Sequence, residues 1–230
     1  MFARRTAEGI LQHITGYSAI FAAPTAYVAL FTTAPTDDTG AGAVEVSGGG
    51  YARVATAAGT TGTWGAASTG TDPTTIANNG SGAAAITFAT ATASWGTVVA
   101  FGLYDAASAG NLLAWDWLGN FQWQPCTISS AAPAVFTAHA HGFAANDPIV
   151  FSTVFGGTAP VLATGSGALG SNNVSLVVSP TTDTFTLTTA GTAVNTTATG
   201  NGMVRKIVQQ SVPSGVQPSF AAGTLILSAV

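Results

Sequence analysis

The chain has 230 residues, a formal net charge of −4 and only 6% charged residues, against about 25% in an ordinary soluble domain. Five Lys and Arg cannot neutralise a run of phosphates, which excludes nucleic-acid binding. The 47% apolar share excludes a disordered chain, and no uninterrupted apolar run of about 18 residues exists to span a bilayer.

In chain order, residues 3–17 predict the one helix. Ala7, Ile10, Leu11, Ile14 and Tyr17 recur at spacings of three and four, Thr6 supplies an N-cap and Gly16 a stop. An amphipathic helix of about four turns is not stable alone. Ile10, Leu11 and Ile14 are therefore read as a docking face, for the domain behind it or for a neighbouring subunit. Arg4 and Arg5 precede no long apolar run, so no signal peptide is read.

From there the pattern turns to β. Strands are predicted at 26–32, 51–56, 84–89, 97–104 and 111–118, with Gly- and Asn-bearing turns between them. After Trp123 the composition shifts. From Gln124 to Arg205 the charged residues are Asp147, Asp183 and Arg205, while Thr, Ser, Gly and Asn rise. Strands are predicted there at 134–138, 149–153, 174–178 and 184–188, the last with a clean period of two. Two more, at 204–210 and 224–228, are read as returning to the first module. The predicted fold is mainly β. A sandwich-like host domain (1–123), led by one helix, is completed by 207–230, and a small β module (124–206) is inserted in it.

Few residues offer chemistry. The single cysteine, Cys126, excludes a disulfide framework and a cysteine-based zinc site. Asp37 and Asp38 adjoin in a Gly-rich turn, and sequence neighbours in a turn rarely face one cavity. Asp116 falls between Trp115 and Trp117, on the opposite face of an alternating strand. The histidines are His13, His139 and His141, and no G-x-S-x-G elbow accompanies them. His139 and His141 would share a face on a strand, as weak candidates for a metal site completed around a three-fold axis. The alternative is a strand-end turn with a local hydrogen bond. Gly48, Gly49 and Gly50 lack the Gly-Lys-Ser/Thr of a phosphate loop and read as a connection needing positive φ. The tryptophans, Trp115 and Trp117 among them, serve core or subunit-interface packing, or alternatively a glycan-binding surface. Glu45 and Arg53, two of very few charges, flank the glycine run. A bidentate pair there, across a hairpin, would fix the register of the sheet.

Tyr27–Pro35 (YVALFTTAP), Glu45–Val54 (EVSGGGYARV) and Trp95–Ala106 (WGTVVAFGLYDA) resemble, in this order, stretches of a family of tailed-bacteriophage virion proteins, tail-fibre or minor structural proteins. The ending, Phe220 to Ser228, is similar too. Residues 124–206 depart from it and look like a β module of phage tail proteins, marked by Thr137–Phe151 and Val177–Leu187.

The resemblance implies a virion structural protein, at the tail fibre, tail tip or fibre anchor, bound to other phage virion proteins. It carries over no catalytic residue and no cofactor. The charge-poor surface and the lone docking helix imply a homo-oligomer, a trimer or a ring. Two alternatives are a capsid-decorating (cement or head-fibre) protein and an adhesin for host surface glycan. A third, an enzyme, lacks the paired carboxylates of glycoside hydrolysis. The expected location is the virion, assembled in the host bacterial cytoplasm.

Overall fold

The computed structural model describes residues 25–36, 39–57, 62–68, 74–82, 84–119, 121–170 and 172–229, with Thr15. Among these residues the chain is all β, with eighteen strands and no helix. The predicted helix, with His13 and the face formed by Ile10, Leu11 and Ile14, lies outside them apart from Thr15, as do Asp37 and Asp38. Contacts divide the chain into two units, Met1–Trp117 with Gln210–Val230, and Leu118–Gln209.

The first unit begins with β1 (Tyr27–Thr33), β2 (Val44–Glu45), β3 (Val54–Ala55), β4 (Thr74–Ala77), β5 (Ile86–Thr87), β6 (Gly96–Val98), β7 (Ala100–Tyr104) and β8 (Leu112–Trp117). An antiparallel sheet runs β2–β1–β7–β8, and β3 also pairs with β1. Val28, Ala29, Leu30 and Phe31 of β1 are all buried. Burial on both faces explains why this strand reads as a continuous apolar run. The strand predicted at 97–104 divides at Val99, whose N–H donates to Phe31 O at 2.9 Å. Gly102 sits in β7 where a Cβ would lie 2.7 Å from the Phe31 ring, so only glycine lets β7 lie this close.

The second unit holds β9 (Gln124–Ile128), β10 (Phe136–Thr137), β11 (Pro148–Ser152), β12 (Ser175–Val178), β13 (Thr184–Thr189), β14 (Thr192–Ala193) and β15 (Gly200–Lys206). The ladder runs β10–β9–β15–β11–β12–β13–β14, and β10 also pairs with β13, at Phe136↔Phe185 and Thr137↔Thr184. That last pairing closes a six-stranded barrel, which leaves β14 outside the ring. The interior is filled by side chains: Ile128, Phe136, Ile149, Phe151, Val177, Phe185, Leu187 and Val204 are buried in one cluster. The Phe136 and Phe185 rings stack at 5.5 Å between centroids.

The strand predicted at 204–210 for the first module is corrected here. Residues 204–206 belong to β15, a barrel stave with ladder partners on both sides, β9 and β11. Only from Gln210 does the chain return to the first unit, as β16 (Gln210–Val212), β17 (Ser219–Phe220) and β18 (Ile226–Ala229).

These three pair with β6, β5 and β4 in reverse order, so 210–229 zips antiparallel along 74–98. Between the ladders the zipper continues by single bonds, such as Ala91 N–H to Val216 O (2.8 Å) and Asn78 N–H to Leu225 O (3.0 Å). Asn78 is fully buried and acts as a rivet. Its Nδ2 donates to Ala84 O and Ala221 O, both at 2.9 Å, and its Oδ1 accepts the Leu225 N–H at 2.8 Å. Within the strand predicted at 224–228, Leu225 is buried and Ile226 is exposed.

Candidate functional site

A polar constellation of the first unit grows from Glu45–Val54. β2 and β3 lie on the same edge of β1, at Phe31↔Glu45 and Tyr27↔Ala55. Residues 46–53 leave that edge and return to it. The excursion turns on Gly48, Gly49 and Gly50, with φ of 70°, 54° and 77°. A Cβ on Gly49 would lie 2.9 Å from both Ala93 O and Trp95 Nε1, so the backbone approach there needs glycine. The strand predicted at 51–56 therefore shrinks to Val54–Ala55.

Leaving the ladder opens a gap beside β1, and Tyr51 fills it. The Leu30 N–H donates to Tyr51 Oη at 2.9 Å, and Tyr51 Oη donates to Glu45 Oε1 at 2.9 Å. The Tyr51 ring stacks on Phe88 (6.1 Å) and meets Trp95 edge-on (5.3 Å). Trp95 Nε1 in turn donates to Gly49 O at 2.9 Å.

The Glu45 carboxylate also accepts from Arg53, from Nε at 2.8 Å and from Nη2 at 2.7 Å. This is the bidentate geometry, made between β2 and the last residue of the excursion and not across a hairpin ladder. Arg53 Nη1 donates to Ala106 O (3.0 Å) and Ala109 O (2.7 Å), and Arg53 Cζ lies 3.5 Å from the centroid of the Tyr104 ring. The loop after β7 is pre-shaped to offer those carbonyls. Asp105 accepts from the Asn111 backbone (2.6 Å) and side chain (2.7 Å), and Ala109 and Gly110 take positive φ.

The electrostatics keep the two phenols neutral and the guanidinium charged. Burial pushes the Tyr51 phenol well above its ordinary value, and the adjacent Glu45 charge adds to this. The hydrogen bond to Glu45 raises the Arg53 guanidinium further, and burial raises the Tyr104 phenol. The Arg53 side chain is 7% exposed and that of Glu45 26%. The cluster is thus a clasp that fastens β1, the 46–53 excursion and the 105–110 loop together. Each of the three sequence stretches Tyr27–Pro35, Glu45–Val54 and Trp95–Ala106 supplies part of it.

The remaining candidates separate. Trp115 and Trp117 are buried in the first unit, with ring centroids 6.2 Å apart. Asp116 is half-buried and its Oδ1 accepts the Trp117 N–H at 2.7 Å. His139 and His141 do not share a face, because β10 ends at Thr137 and the chain turns through Ala140 at φ 48°. The His139 side chain is 93% exposed and its Nδ1 lies 3.1 Å from Asp183 Oδ1. His141 is 4% exposed, accepts the Phe143 N–H on Nδ1 at 2.9 Å, and packs on Phe143 and Phe185. Among the described residues no group of three His, Cys, Asp or Glu is placed to hold a metal ion.

Sequence reasoning missed Tyr51 and Asn78. The spacing from Glu45 to Tyr51 carries no hydrogen-bond signal until the excursion is known. Asn78 looks like any turn asparagine, beside Asn79 and Gly80.

A protein-family model described as Podophage GP4 fiber I protein gp80 matches residues 2–142, more than half of the 230. No curated protein matches the chain.

Proposed function

The chain belongs to the Podophage GP4 fiber I protein gp80 family, and from that premise we propose that it is a tail-fibre, tail-tip or fibre-anchoring component of the virion that catalyses no reaction. The observation that carries this is the clasp. The three stretches that resemble virion proteins meet in one cluster, and there Glu45, Tyr51 and Arg53 bond to one another and to backbone. Those residues serve architecture. The few charges over the whole chain suit a subunit packed among others, since little like-charge repulsion opposes assembly. We propose a homotrimer or ring that contacts other virion proteins through shape and apolar side chains and is assembled in the host bacterial cytoplasm.

Immunogold labelling of purified particles tests the location. Label at the tail or its fibres is the expected result. Label over the capsid would favour the decoration reading, and particles without label would overturn both. Sedimentation of the purified chain tests the oligomer, and a monomer at micromolar concentration would contradict it.

A further inference from the structure

We propose that the outer wall of the six-stranded barrel carries a binding site for a neutral saccharide ring, in a cleft beside Phe155. The cleft has a volume of about 300 Å³, at the lower end of small-molecule sites (about 300–1,000 Å³) and enough for a single ring. Its wall strands are β9, β10 and β15, and it is roofed by the turn that follows β11.

The polar side is built by strand register. Asn201 of β15 faces Thr127 of β9, and Thr127 faces Thr137 of β10. All three line the cleft and are exposed, on the face opposite the buried Cys126, Ile128 and Phe136. Neighbouring side chains in such a row stand about 5 Å apart, comparable with alternate hydroxyls of a pyranose ring.

The apolar side is Phe155, 58% exposed. An exposed aromatic ring at the mouth of a hydroxyl-lined cleft suits a ligand with one C–H face and a hydroxyl rim. The ring is held in place. Trp123 packs on it at 5.6 Å between centroids. The turn is tied to β15, with Thr158 N–H donating to Asn201 Oδ1 (2.8 Å) and Asn201 N–H donating to Thr158 O (2.9 Å). Gly157 lies so close that a Cβ there would be 2.5 Å from Asn201 O. The residues that line the cleft are uncharged, which favours a neutral ligand over a phosphate or carboxylate. Held by one ring face and three neutral polar side chains, the ligand binds in the millimolar range. The site is separate from the clasp, and this inference does not depend on the assembly reading.

The test is amide-shift mapping on the ¹⁵N-labelled full chain with the methyl glycosides of glucose, galactose and N-acetylglucosamine. Polyethylene glycol serves as a ringless control. At least one glycoside is expected to shift 125–127, 137, 155–157 and 201–203 together, and the control none of them. Phe155→Ala, at an exposed position, should weaken binding at least about fivefold. Thr127→Val should weaken it less, and the amide spectra should otherwise match the parent. The proposal is overturned if no glycoside shifts these amides, if the control shifts them equally, or if Phe155→Ala binds as the parent does. It is also overturned if the Phe155 signals move with protein concentration alone, since a second copy would then occupy the cleft. Incorporation of Phe155→Ala into particles, read by the same immunogold label, separates failure of this site from failure of the virion assignment.

Discussion

Replacing Tyr51 with Phe removes one oxygen from the clasp and leaves the packing in place. The ring keeps its contacts with Phe88 and Trp95, so no cavity term arises. Two bonds disappear. Glu45 Oε1 loses the phenol but retains Arg53 Nε at 2.8 Å, so that loss is small. The Leu30 N–H loses its acceptor beside a strand whose residues are buried, and a stranded buried donor costs about 1–3 kcal/mol. For a chain of this length each kcal/mol lowers Tm by about 2–4 °C, so the transition of the first unit should fall by about 2–12 °C. Calorimetry reads this, because a chain of two units need not melt in one step. The difference between the two proteins should stay constant from pH 6 to pH 9, because burial keeps the Tyr51 phenol protonated throughout. A Tyr51→Phe protein that melts with the parent would show that the hydroxyl does not bridge β1 to Glu45, and the clasp argument would fail.

The Glu45–Arg53 pair should couple by about 1–3 kcal/mol in a double-mutant cycle of Glu45→Ala and Arg53→Ala, above the roughly 0.2–1 kcal/mol of exposed pairs; urea melts giving less than about 0.5 kcal/mol would contradict the buried geometry. Asn78→Ala should cost about 3 kcal/mol or more, since it strands the Leu225 N–H and two carbonyls. Asn78→Asp should be no milder, because a carboxylate cannot donate to Ala84 O and Ala221 O. Burial pushes the Cys126 thiol up to about 12, so at pH 8 only about one molecule in ten thousand carries the thiolate. A colorimetric disulfide reagent should label the thiol only as the barrel opens, and rapid labelling of native protein would remove β9 from the barrel wall. The hydrogen bond from the Ala140 N–H holds the Asp183 carboxyl below its ordinary 3.8. Its contribution to stability is full above that value and is lost as pH falls through the lower folded value. An acid titration of Asp183→Asn should therefore lack part of the parent's loss of stability below pH 4.

Apolar pattern carries the strands that sit fully inside, and it carries little else. β1, β8 and β13 read correctly because their side chains meet a core on one or both faces. β2, β4, β14 and β17 are two to four residues long, too short for any period to register; β4 and β17 form only because a partner far along the chain, β18 or β5, lies beside them. β9 was hidden by Pro125 in a Gln-Pro-Cys-Thr-Ile run, since proline normally argues against a central strand. Here Pro125 lies opposite Met203 at the end of the stave. The Glu45–Arg53 pairing was legible because charges are so scarce that two near a glycine run stand out. For His139 and His141 the shared strand face fails, because period two does not continue past Thr137, and the alternative holds: a strand-end turn in which His141 makes a local hydrogen bond with the Phe143 N–H. Barrel closure was illegible in principle, as the β10–β13 ladder joins residues nearly 50 apart without a sequence mark.

The scarcity of charge has a structural counterpart in where the charges are used. A ladder satisfies its own backbone, and the chain needs other partners only where it leaves one. Charged side chains stand at those places. Arg53 bonds Ala106 O and Ala109 O, and Asp105 bonds Asn111 N–H. Asp147 bonds Ala144 N–H, Asp183 bonds Ala140 N–H, and Arg205 bonds Gly119 O. Hydrogen bonds from or to a charged group are about twice as strong as neutral ones, so the backbone groups named here are held by strong contacts. Loss of any of these side chains should then cost more than removal of an ordinary surface charge, which is usually within about 0.5 kcal/mol. The same placement leaves the outer faces to Thr, Ser, Asn and Gly. Neutral surfaces repel one another weakly, so subunits built this way can pack closely without first neutralising a field.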